Sequence, residues 1–159
     1  MGKFTKIITY VLGAFSVVMV GLLSLGSLMA DKLSKPETLE RIMAADEPCR
    51  AAYTKVVELQ DAKGQAAEIA QLSRDGEPVC RGAFKRLDDI NIYIPKNDYT
   101  QQRDKKAAID DCAALSRVRA DLLAYHAGSS ADEPRLQKLN VELDRTDRTC
   151  RASFERLAK

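Results

Sequence analysis

Four residues of this chain could carry thiol chemistry: Cys49, Cys80, Cys112 and Cys150. They stand 31, 32 and 38 residues apart. Cys-x-x-Cys, the spacing of thioredoxin-like redox pairs, does not occur. Nor does Cys-x-x-Cys-His, which would tether haem. A four-cysteine zinc site usually draws its ligands in close pairs, and these four are isolated. The remaining chemistry is structural: two disulfides, which persist only in an oxidising compartment. Four cysteines allow three connectivities, so composition alone leaves the pairing open.

Three of the four open a repeated phrase. Cys49-Arg50-Ala51-Ala52-Tyr53, Cys80-Arg81-Gly82-Ala83-Phe84 and Cys150-Arg151-Ala152-Ser153-Phe154 each read cysteine, arginine, two small residues, aromatic. Cys112-Ala113-Ala114-Leu115 is a degenerate fourth copy. A spacing of four places sulfur and ring on one helix face. The arginine between them points elsewhere, toward solvent.

Other reactive types are sparse. His126 is the single histidine, placed near an expected helix end where a cation is favourable. It lacks a nucleophile context such as Gly-x-Ser-x-Gly. The acidic pairs Asp88-Asp89 and Asp110-Asp111 point about 100° apart on a helix, so neither is a natural carboxylate dyad. Asp111 reads as part of a solvated face. No phosphate loop, dinucleotide fingerprint, His-Glu-x-x-His or calcium loop appears. No residue is therefore assigned to catalysis, a cofactor or a metal, and no small-molecule substrate is expected. A net charge of +2 without a clustered basic face also argues against nucleic acid.

The cysteines must be positioned by helices. Asp46-Glu47-Pro48, Asp75-Gly76-Glu77-Pro78 and Asp132-Glu133-Pro134 each offer an acidic N-cap and an early proline, the signature of a helix start. Leu136, Leu139, Leu143, Cys150 and Leu157 follow near-heptad spacing, with Phe154 beside the seam. Ile109, Cys112, Leu115, Val118, Leu122 and Tyr125 form a second stripe. A turn at Gly128-Ser129-Ser130 folds these two segments into an antiparallel hairpin. In the first half, Leu39, Ile42, Cys49, Tyr53 and Val56 keep helical spacing, broken at Pro48. A reversal at Gly64, a short helix over 66–72 and a third helix after Pro78 complete that half. These reversals favour pairing Cys49 with Cys80 and Cys112 with Cys150. Between the halves, Ile90-Asn91-Ile92-Tyr93-Ile94-Pro95 alternates and ends in proline, as extended chain does.

The N-terminus differs from all of this. Residues 7–30 carry no charge, and Lys3 and Lys6 precede them. Such a run makes roughly 36 Å of helix, enough for a hydrocarbon core of about 30 Å. It exceeds the usual apolar region of a cleaved signal peptide, and Leu28-Met29-Ala30 is a mediocre cleavage site. The basic tail places the N-terminus inside. Gly13, Ser16, Val20, Ser24 and Ser27 share an arc of small residues suited to packing against another membrane helix. All 23 acidic and 23 of the 25 basic residues follow Ala30, so the net +2 belongs to Lys3 and Lys6.

The expected fold is all-α: one N-terminal transmembrane helix, then a disulfide-stapled bundle of antiparallel helical hairpins. The expected domains are a basic cytoplasmic tail (1–6), a signal-anchor span in the lipid bilayer (7–30) and an extracytoplasmic helical domain (31–159). That last domain comprises halves of about 36–90 and 97–158 joined by an extended linker, 91–96. The expected protein is a non-enzymatic accessory or scaffold subunit of an integral membrane complex. It would sit single-pass in the inner membrane, N-terminus inside, with its C-terminal domain in the periplasm. An inhibitor or immunity-type binding protein is the alternative, with Ile92, Tyr93 and Ile94 as contacts. The layout also resembles that of inner-membrane spanins: a basic tail, one span and a charged helical exterior with cysteines. That resemblance implies a role in envelope disruption and rests on architecture alone.

Overall fold

Helix α1 (Lys35–Asp61) starts on a capping box. The Ser34 N–H donates to Glu37 Oε2 at 2.7 Å, and the Glu37 N–H donates to Ser34 Oγ at 3.4 Å. Hydrogen bonding from Ser34, its backbone N–H foremost and its side chain next, holds the Glu37 carboxyl below the ordinary carboxylate value. The Ser34-Lys35-Pro36-Glu37 signature is legible in the sequence, and the proline-based reading of helix starts passed over it.

The computed structural model describes residues 34–90, 99–128 and 132–159. Within them lie α1, α2 (Ala66–Asp88), α3 (Tyr99–Ala127) and α4 (Glu133–Ala158), and no strand. The described residues all belong to one unit, Leu33–Lys159. Among them no helix is long and apolar enough to cross a membrane. The expected span, 7–30, lies outside them, as does the expected linker.

Two expected breaks do not occur. Pro48 lies inside α1 and Pro78 inside α2, so neither proline starts a helix. An interior proline removes one hydrogen bond and costs about 3 kcal/mol. Tertiary contacts outweigh that cost here. Buried Ile42, Ala45, Cys49 and Val56 lie on both sides of Pro48, and Cys49 is covalently fixed. The residues read as caps are engaged elsewhere. Asp46 pairs across helices with Arg119, Asp75 accepts from Gln71, and Glu77 pairs with Arg81. Only Asp132 caps as expected, accepting from the Arg135 N–H at 3.1 Å.

The α1–α2 reversal sits where Gly64 predicts it, by a different device. Gly64 N–H donates to Leu59 O at 2.8 Å and Lys63 N–H to Gln60 O at 2.9 Å, the paired bonds of a Schellman turn. The left-handed residue is Lys63, with φ 54°. Gly64 is needed for closeness instead: a Cβ there would stand 2.4 Å from Leu59 Cδ1 and 2.9 Å from Leu59 O.

Helix α3 is the centre of the bundle, packing against α1, α2 and α4, while α2 and α4 do not pack on each other. Its burial therefore exceeds one stripe. Ala108, Ala113, Ser116, Arg119, Ala120 and Leu123 are buried along with Ile109, Cys112, Leu115, Val118 and Leu122. Each large aliphatic side chain so buried contributes roughly 1.5–3 kcal/mol. The small residues let three neighbours approach. Helix α4 is the opposite case: it buries only Thr146, Ser153 and Leu157.

Candidate functional site

The two disulfides are Cys49–Cys80, joining α1 to α2, and Cys112–Cys150, joining α3 to α4. No free cysteine remains. Each bond staples one antiparallel hairpin across its reversal, the pairing that the turns predict. Closing loops of 31 and 38 residues stabilises each hairpin by about 4 kcal/mol in the chain-entropy account.

In two of the three copies of the repeated phrase sulfur and ring share one core cluster, while in the second Cys80 and Phe84 belong to different clusters. Tyr53 packs against the core cluster that contains Cys49 and Cys80. Phe84, Cys150 and Phe154 pack against the cluster that contains Cys112. Arg50, Arg81 and Arg151 lie on exposed faces and pair with acids one turn upstream, Glu47, Glu77 and Asp147. Arg81 also reaches Asp121 on α3 at 3.3 Å. Exposed pairs of this kind contribute under about 1 kcal/mol each.

Polar residues also cross the helix interfaces. Arg119 Nη1 donates to Asp46 Oδ1 at 2.8 Å, and Ser116 Oγ donates to the same oxygen at 3.2 Å. Both members of the ion pair are largely buried between α1 and α3. On the other side of α3, Ser153 Oγ donates to Asp111, and Arg156 Nη2 donates to Ser153 Oγ at 2.6 Å. Asp111 is therefore an interhelical acceptor and not simply a solvated residue. A sequence signal for this existed. Positions 146 and 153 complete the heptad of 136, 139, 143, 150 and 157, and hold Thr146 and Ser153. A stripe restricted to apolar types omits them. Thr146 Oγ1 is satisfied within its helix by Glu142 O at 2.8 Å.

Among the described residues, surface depressions follow from this packing, one of them lined by Arg41, Ala44, Ala45, Arg86 and Ile90. At the Cys112–Cys150 bond, a cleft is lined by Ile42, Met43, Cys112, Cys150 and Phe154 together with the charged Asp46, Glu47, Arg50 and Arg151. Over α3, a polar groove runs between Phe84 and Thr146, where the Arg117 guanidinium lies 6.0 Å from the Phe84 ring centre. At the far end, Arg74, Tyr125 and His126 line another. The Gln60 amide nitrogen lies 3.1 Å from His126 Nδ1. Burial lowers the His126 pKa below its ordinary value.

Among the described residues, no group of three or more His, Cys, Asp or Glu is placed to hold a metal ion. The small residues Gly13, Ser16, Val20, Ser24 and Ser27 lie outside the described residues, as do Ile92, Tyr93 and Ile94. Their neighbour Ile90 packs against the cluster around Cys112. The chain matches no protein-family model, no curated protein and no solved structure.

Proposed function

We propose that this protein is a non-enzymatic accessory or scaffold subunit of a membrane complex. Residues 7–30 anchor it by one span, and the helical domain stands on the oxidising side, the periplasm in a bacterial envelope. The observation that carries this reading is a conjunction. An uncharged segment long enough to span a bilayer precedes a domain that commits every cysteine to a disulfide. The basic tail gives the orientation, and the arc from Gly13 to Ser27 gives a surface for another membrane helix.

Both disulfides lie within the chain, which favours a self-contained domain over the covalently linked dimers expected of a spanin-like protein. The inhibitor reading assigns contact to Ile92, Tyr93 and Ile94 and does not need the anchor. Deleting residues 1–30 separates the two. Loss of membrane-partner binding supports the accessory subunit, and retained binding to a soluble enzyme supports the inhibitor.

A further inference from the structure

The two disulfides are unequal in access. Cys49 and Cys80 are both 0 % exposed and enclosed by Val56, Ala83, Ala120 and Leu123. Cys112 is 1 % exposed, but Cys150 is only half-buried, and both line the cleft of Ile42, Met43 and Phe154. Met43, on the wall of that cleft, is 61 % exposed. Thiol–disulfide exchange requires a thiolate to reach a sulfur, so accessibility separates two bonds of identical chemistry.

Helix α2 buries Ser73, Gly76, Cys80, Ala83 and Leu87, and α4 buries Thr146, Ser153 and Leu157. Each helix thus buries one large apolar side chain fully, Leu87 in α2 and Leu157 in α4. What separates the two bonds is access.

We infer that Cys112–Cys150 is a thiol-exchange site at which an external dithiol opens the domain, with Cys150 the attacked sulfur, while Cys49–Cys80 is a permanent staple. The attacking thiolate forms a bond to Cys150 Sγ as the Cys112–Cys150 bond breaks. The electron pair passes to Cys112 Sγ, which takes up a proton. The second thiol of the reductant then displaces Cys150 as a thiol and closes the reductant's own disulfide. Two electrons and two protons pass in all from the dithiol to the pair. The partner chemistry is a Cys-x-x-Cys dithiol whose rim meets the apolar Met43 and Phe154 together with the charged Asp46, Glu47, Arg50 and Arg151. The consequence is a domain whose α4 is tied covalently to α3 when oxidised and released from that tie when reduced.

The test is native-state reduction of the full chain in mild detergent, with free thiols blocked over time and mapped by peptide mass. Under dithiothreitol or glutathione, Cys112 and Cys150 become blocked at least about tenfold faster than Cys49 and Cys80. Amide exchange then rises in α4 and stays unchanged in α1 and α2. Simultaneous reduction of both bonds, or earlier loss of Cys49–Cys80, overturns the assignment. A Cys-x-x-Cys protein with its second cysteine replaced by serine separates a protein reductant from a small thiol. A trapped mixed disulfide at Cys150 supports the proposal. A trap at any other cysteine, or none, contradicts it.

Discussion

At the residue scale, the most consequential group is one that sequence patterning placed in the wrong role. Asp46 stands two residues before a proline, and that spacing reads as a helix cap. In the folded chain its carboxylate meets Arg119 and Ser116 between α1 and α3. No local signal announces this, because Arg119 lies 73 residues away. Replacing Asp46 with Ala leaves the largely buried guanidinium without its carboxylate. The expected loss is about 3–5 kcal/mol in urea unfolding, with a smaller loss for Asp46→Asn. His126 supplies a second prediction at this scale. Burial holds its folded pKa below the ordinary 6.5, so the unfolded chain takes up the proton first as pH falls. Its contribution to stability is therefore intact above pH 6.5 and is lost as pH drops from there through the folded pKa. Unfolding titrations of the wild type and His126→Gln should diverge in that window, with the variant showing the weaker pH dependence.

Helices are where the sequence was most readable and where proline was most misleading. The stripes through Ile42, Cys49 and Val56, and through Ile109, Cys112, Val118 and Leu122, became buried faces. Hydrophobic period is a direct consequence of helix geometry, so it survives folding. Local start signals are weak preferences, and at Pro48 and Pro78 packing overrode them. Gly76 shows how. It reads as part of a helix start, yet it sits inside α2 where a Cβ would lie 3.2 Å from both Ala52 Cβ and Leu123 Cδ1. Glycine there permits α2 to lie close against α1 and α3. Leu123 is fully buried. Gly76→Val should therefore destabilise the domain by roughly 1–3 kcal/mol. Thermal unfolding followed by circular dichroism measures this, with Gly82→Ala as the comparison at a half-buried position on the same helix.

For the whole molecule, the cysteine spacings and the two reversals sufficed for the disulfide pairing. They could not convey that α3 is central or that one bond is sealed and the other lines a cleft. Those properties arise only when the two hairpins pack together. The division of charge carries the functional account. A nearly neutral, heavily charged helical domain follows an uncharged segment, and the excess of +2 rests on Lys3 and Lys6. Under the proposed function, that arrangement would orient an anchored protein, and the small-residue arc of residues 13–27 would be where a partner binds. The direct measurement is purification of the tagged full chain from membranes in mild detergent, beside the Ser24→Leu, Ser27→Leu double variant. The account predicts a stoichiometric integral membrane partner with the natural sequence, depleted in the variant. A chain recovered as a lone monomer, or from the soluble fraction, would contradict it.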